Sequence, residues 1–297
     1  MNVVDLFSGC GGLSLGFLRR GFKISAAFEN WNSAIKCYQA NFSHPVHCID
    51  LSNVVEAVEA ISKYTPDGII GGPPCQDFSH AGKRVESGRA SLTDCFARII
   101  SQVRPHFFVM ENVDRAQKSR AYASAREIFK RSGYGLTEIL LDASLCGAPQ
   151  KRKRFFCYGV LGKVDNHSLF SFTSRLSLSP MTLRQYFGSD LGFEYYYRHP
   201  RNYSRRAVFS IDEPAPTMRG VNRPIPKGYP GNPNDACPIS DAVHELTTLE
   251  RALIQTFPKN FKWNGTKTDV EQMIGNAVPV RLAEFVAGVV KDTLEND

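Results

Sequence analysis

The chain predicts an α/β fold: a mostly parallel sheet with helices on both faces, joined to a smaller loop-rich domain. Three observations predict it. Over the first 160 residues short apolar runs alternate with helix-like stretches, the rhythm of a parallel sheet whose crossovers are helices. Asp5, Glu29, Asp50, Cys75 and Glu111 all fall at predicted strand ends, the rim at which open α/β sheets bind ligands. Beyond Val160 the rhythm breaks, and residues 163–240 are rich in Ser, Pro, Gly, Tyr and Arg without a long helical period.

Taken in order, NVVDLF reads as a strand and GGLSLGFLRRG as a glycine turn entering a helix that stops at Gly21. KISAAFE is a second strand, followed by a helix over 31–40; VHCID is a third. SNVVEAVEAISKY places Val54, Val55, Val58 and Ile61 on one helical face. GIIGG is a fourth strand, running directly into GGPPCQDFS. LTDCFARIISQV reads as a helix, HFFVMEN as a buried strand, and ASAREIFKRSG as a helix closed by Gly133. LTEILL and RFFCYGV supply two more strands, and helices are expected at LTTLERALIQTF and VPVRLAEFVAGVVKDTL.

Composition sets outer bounds. With 297 residues, 42% hydrophobic and 22% charged, the chain can bury a real core. No stretch reads as a membrane span, and MNVVDLFSG turns at once into a strand, so the expectation is no signal peptide and a cytoplasmic location. Eight cysteines without a C-x-x-C pair support neither a disulfide framework nor a zinc site, and no metal is expected. A formal charge of +7 is permissive of a polyanionic partner.

Four motifs carry chemistry. DLFSGCGGLSLGF (5–17) puts Gly9, Gly11 and Gly12 between a strand and a helix, where backbone can approach a ligand closely. The dinucleotide fingerprint wants a third glycine where Ser14 stands, which argues against a nicotinamide oxidoreductase. Glu29, at the end of the second strand, suits ribose hydroxyls. In GGPPCQDFS, Pro73 and Pro74 lock the approach to Cys75, so the direction of the sulfur is set by backbone. A buried structural cysteine needs no such framing; a nucleophile does. In VMENV (109–113), Glu111 follows an apolar strand, where burial raises a carboxyl pKa and suits it to share a proton. In QKRKRFF (150–156), Gln150, Arg152 and Arg154 alternate and would share one side of a strand, their guanidinium groups matched to a phosphate or a base carbonyl.

DLFSGCGG, FEN, IDL, GGPPCQ, MENV, Q-x-R-x-R, PAPTMRG and IGNAVP follow one another from residue 5 to residue 279. In that order they resemble the DNA cytosine-5 methyltransferases of restriction–modification or orphan type. The resemblance implies a class I Rossmann-like methyltransferase fold that uses S-adenosylmethionine and releases S-adenosylhomocysteine. It also implies a catalytic domain of residues 1–162 plus 272–297 and a target-recognition domain of 163–271.

The reaction it implies is transfer of a methyl group to C5 of a cytosine flipped out of duplex DNA at a short specific sequence. By this resemblance Cys75 attacks C6, Glu111 contacts the exocyclic amine and N3, Arg154 holds O2, and Arg152 shapes the pocket or binds phosphate. Phe7, Ser8, Gly9, Gly11, Gly12, Glu29, Asn30, Asp50, Leu51, Pro73, Leu92 and Asn276 are the implied cofactor residues. Gln76, Ser79, Arg89, Gln150, Arg198, Arg201, Arg205, Arg206, Thr217 and Arg219 are expected at the DNA, the interleaved arginines and tyrosines of EYYYRHPRNYSRR (194–206) suiting phosphates and bases. Two departures stand out: Asn30 occupies a position where many members stack an aromatic on adenine, with Trp31 one later, and Arg89 is followed by Ala90 rather than glycine.

Two other readings share the scaffold: a tRNA cytosine-5 methyltransferase and a catalytically silent DNA-binding member. A monomer is expected, located with the DNA of the nucleoid. The sequence leaves open whether a restriction endonuclease accompanies it; such a companion would need no stable complex.

Overall fold

A computed structural model describes residues 1–74, 91–202 and 204–296. Cys75, Gln76, Ser79 and Arg89 lie outside the described residues.

The elements run β1 (Asn2–Leu6), α1 (Gly12–Arg19), β2 (Lys23–Glu29), α2 (Asn32–Gln39), β3 (Val46–Cys48), α3 (Val54–Ser62), β4 (Gly68–Gly71), α4 (Leu92–Val103), β5 (Phe107–Val113), α5 (Arg120–Arg131), β6 (Tyr134–Asp142), β7 (Gln150–Lys151) and β8 (Lys153–Leu161). There follow α6 (Leu169–Thr173), α7 (Leu183–Phe187), β9 (Tyr195–Tyr197), β10 (Val208–Ser210), β11 (Ala215–Pro216), β12 (Val243–Glu245), α8 (Thr248–Ile254), α9 (Lys267–Asn276) and α10 (Val280–Glu295).

The main sheet has the order β3-β2-β1-β4-β5-β8-β6. β1 to β5 are mutually parallel, and β8 runs antiparallel to both its neighbours. Chain order reverses between β1 and β4, the switch point beyond which such sheets hold ligands. Alternation along β1 sends Val3 to one face and Val4 and Leu6 to the other. The first face packs α1 and α10, the second α3, α4 and α5. Gly16 makes the α1–α10 contact possible, since a side chain there would run into Ala283. An 18-residue window within 267–295 is apolar enough to cross a membrane by composition, yet 67% of that window is buried inside the protein, as in a core helix.

A second, three-stranded sheet of order β10-β9-β12 centres residues 195–245, and the two-residue strands β7 and β11 pair as a separate two-stranded sheet.

Several expectations change. Val55 is 66% exposed; Ala57 takes its place beside Ile61, because 54, 57, 58 and 61 share the helical face and 55 does not. The third strand ends at Cys48. Gln150, Arg152 and Arg154 do not share one strand, since the ladder breaks at Arg152. α9 runs through residue 272. Phe257 and Phe261 pack in one cluster with Ala34 and Cys37 of α2.

Candidate active site

Beyond the carboxyl ends of β1, β2, β4 and β5 lies a cavity of about 470 Å³, within the usual range for a small-molecule site. Its walls come from the 5–13 turn, Glu29 to Trp31, Asp50, the Gly72–Pro74 segment, Leu92, Glu111 to Val113, Arg154 and the 273–278 segment.

The 5–13 turn is strained as well as tight. Phe7 is a non-glycine residue with φ 56°, a left-handed conformation rare for aromatics and concentrated at functional sites. Glu29 organises the rim: its Oε2 accepts from Gly9 N at 2.8 Å, and its Oε1 accepts from Asn30 N and Trp31 N, both at 2.9 Å. A carboxylate held by backbone on two strand ends presents fixed lone pairs to a hydroxyl-bearing ligand.

Asp5 lies beneath the turn and is only 1% exposed. Ser14 Oγ donates to its Oδ2 at 2.6 Å, and a hydrogen-bonded chain continues from Ser14 to Tyr38 and from Tyr38 to His44 Nε2, each step 2.7 Å. The other oxygen, Oδ1, is buried with no partner among the described residues. Burial pushes the carboxyl up to about 7, Ser14 opposes this, and the charge of Glu29 adds to it. Asp5, at a strand end, was visible in the sequence, but no motif reading gave it a place in the site.

Also in the cavity wall, Glu111 and Arg154 form an ion pair, Arg154 Nε to Glu111 Oε1 at 2.8 Å. Burial raises the Glu111 carboxyl, while Arg154 and then Arg152 pull it back. Asn112, which sequence reading passed over, donates to Pro73 O at 3.0 Å and so fastens the proline segment that leads to Cys75. Its position inside MENV was the available signal.

Of the implied cofactor residues, Phe7, Ser8, Gly9, Gly12, Glu29, Asn30, Asp50, Pro73, Leu92 and Asn276 line the cavity. Gly11 and Leu51 do not: the space beside Gly11 is filled by the Phe42 and Tyr38 rings, and Leu51 packs into the core under α3. Trp31, Met273 and the carbonyl-bearing residues Gly275 and Ala277 are additions.

The arginines divide. Arg154 lines the cavity; Arg152 is 1% exposed and donates to Met218 O, Gly275 O and Ala277 O. Gln150, expected at DNA, is fully buried, its amide bonded to Gln255 and Met218 N, which leaves no surface for a nucleic acid. Arg198 donates to Thr217 O at 2.5 Å, and Arg206 pairs with Glu213. Arg219 donates to His199 O, and Thr217 to Lys151 O at 2.9 Å. Arg201 and Arg205 are exposed. Tyr196 and Tyr197, expected among base contacts, are core residues at 0% and 2% exposure, because β9 is the central strand of its sheet.

Comparison with known proteins converges. The chain is 59% identical to the type II methyltransferase M.HindV of Haemophilus influenzae, over 98% of this chain and 96% of that one. It is 53% identical to the type II methyltransferase M.HgiDI of Herpetosiphon aurantiacus, over 97% and 93%. The fold matches that of S. pombe Dnmt2 methyltransferase with a TM-score of 0.70 and 17% identity, covering 100% of this chain and 99% of that one. The family model for C-5 cytosine-specific DNA methylases matches residues 1–292, and on this ground the chain belongs to that family of DNA cytosine-5 methyltransferases.

Proposed function

We propose that the 470 Å³ cavity holds S-adenosylmethionine and that the target cytosine is presented at its Glu111–Arg154 end. The observation that carries this reading is the single cavity wall shared by the Gly9–Glu29 rim and the Glu111–Arg154 pair. The residues fit the cofactor. Glu29 and Asp50 offer carboxylates to hydroxyls and an amine, and Phe7 and Trp31 offer aromatic faces. Trp31 takes the stacking place that Asn30 leaves empty. When bound, the cofactor supplies an electrophilic methyl group.

The protein's part follows from its own groups. The Cys75 thiolate adds to C6, so that electron density collects at C5. Glu111, its carboxyl raised by burial, donates to or shares a proton with ring N3 as charge develops there. Arg154 balances Glu111 and directs its guanidinium toward O2. Once C5 is methylated, loss of the C5 proton expels the thiolate and restores the aromatic ring. A base inside a duplex cannot present its face to a sulfur, so the cytosine leaves the stack first.

The region around β9, β10 and β12 is proposed to grip the DNA, with the catalytic domain formed by residues 1–162 and the chain from about 257 onward. One base per event requires one copy, which supports a monomer working at the nucleoid. Relatives at 59% and 53% identity, both type II methyltransferases, favour DNA over tRNA as the substrate, and a partner endonuclease without a stable complex is consistent with them.

The test is methyl transfer from labelled S-adenosylmethionine to unmethylated genomic DNA and to bulk tRNA in parallel, with bisulfite sequencing of the DNA. Label at one recurring motif is expected. Label in tRNA alone would move the substrate to RNA, and label in neither would leave a DNA-binding protein.

A further inference from the structure

Arg152 occupies the gap between β7 and β8, two residues before the arginine that pairs with Glu111. Its fork is spent on backbone. Nη1 donates to Met218 O at 2.9 Å, and Nη2 donates to Gly275 O at 2.7 Å and Ala277 O at 3.0 Å. Met218 belongs to the segment that enters the second region through β11, whereas Gly275 and Ala277 flank Asn276 in the cavity wall. One guanidinium therefore joins three segments far apart in sequence.

A second link runs beside it. Gln150 Oε1 accepts from Met218 N at 2.9 Å, its Nε2 donates to Gln255 Oε1 at 2.8 Å, and Gln255 Nε2 donates onward to Ile274 O and Ala277 O. The two segments also touch directly, since a Cβ on Gly275 would run into the backbone of Arg219 and Gly220. We propose that Arg152 is a positioning residue, which ties the seat of the DNA-gripping region to the wall of the cofactor cavity.

The chemistry favours this over a mere fastening. A buried cation held by neutral carbonyls is costly to desolvate, and burial together with the nearby charge of Arg154 pushes Arg152 well below the usual arginine range. A planar fork can hold three carbonyls in fixed relation; a lysine ammonium cannot. Any shift of Met218 as DNA is gripped is thereby transmitted to Gly275 and Ala277, and the binding of cofactor and of DNA become reciprocally linked.

This inference rests on the cofactor reading of the cavity, and the experiment separates the two. S-adenosylhomocysteine binding is measured by calorimetry for the wild type, Arg152→Lys, Gly275→Ala and Arg154→Lys, and hydrogen exchange of residues 273–278 is followed in the cofactor-free proteins. Arg152→Lys is expected to weaken binding about tenfold, the size of one lost charge-assisted hydrogen bond. It should also speed exchange at 275–278 and lose more in KM for the cofactor than in kcat. Gly275→Ala, which forces the same segments apart with Arg152 intact, should reproduce the weakening. Arg154→Lys should keep its affinity and lose kcat.

Wild-type affinity and exchange in Arg152→Lys, with kcat lost, would place Arg152 at the reacting atoms and overturn the proposal. A lower melting temperature with unchanged affinity would overturn it too, as would unchanged affinity in Gly275→Ala. If the wild type bound no S-adenosylhomocysteine, the cofactor reading would fail, while the exchange of 275–278 would still report on the clamp.

Discussion

Arg154 stands opposite Val113 in the antiparallel β5–β8 ladder and reaches diagonally to Glu111, its Nε 2.8 Å from the carboxylate Oε1. Residues diagonal on one face of an antiparallel pair lie within reach of long side chains. The register of two strands thus sets a buried carboxyl against its counter-charge at the cavity wall.

Glu111→Gln keeps the shape and removes the titrating group. General acid–base contributions are typically ~10²–10⁴-fold, so kcat should fall by about that range while S-adenosylhomocysteine affinity stays within about twofold. Single-turnover methylation and calorimetry read the two effects. A variant that lost cofactor affinity and kept its chemical step would remove Glu111 from the cytosine.

Cys75→Ala is expected to abolish methyl transfer and leave DNA binding measurable, because the nucleophile enters only the covalent step. An oligonucleotide with 5-fluorocytosine at the target position should form a denaturation-resistant complex with the wild type and none with the variant. Turnover retained without the thiol would end its assignment as nucleophile.

Asp5 makes stability depend on pH. Its folded value of about 7 stands above the ordinary 3.8, so between about pH 4 and pH 7 the native state holds a proton that the unfolded chain has released. Stability contributed by this group therefore falls as pH rises through that window, by about 4 kcal/mol at most. Asp5→Asn removes the titration and should melt several degrees above the wild type at pH 8, with little difference at pH 4. Parallel melting curves across that range would show that Asp5 is not held protonated.

The arginines of 198–206 should separate by function. Arg201 and Arg205 are exposed, so replacing both with Ala should lower the slope of log affinity against log salt by about two. Arg198 and Arg206 are spent on Thr217 O and Glu213, and their loss should show first as a lower melting temperature. An unchanged slope in the exposed pair would take this stretch away from DNA.

Much of the first region was legible because its signals are local. The runs KISAAFE and LTDCFARIISQV match β2 and α4 end to end, since apolar alternation and helical period report directly on which side is buried. α9 was not read, because KTDVEQMIGN is polar over most of its surface and contributes only a narrow buried edge. The tyrosines of 194–206 misled for the opposite reason: an aromatic suits a base and a core equally, and only the pairing of β9 on both edges decides for the core.

By itself the sequence determined the mostly parallel sheet, the glycine turn and the family of the chain, because each is written in a contiguous pattern of period, turn chemistry or motif. Only the tertiary structure decided how Gln150, Arg152 and Arg154 are used. Three residues evenly spaced in one motif meet three environments, since β7 pairs with β11, the ladder breaks at Arg152 and β8 pairs with β5. Long side chains take their role from the partners that chain crossings bring to them, and spacing along a strand does not contain those crossings.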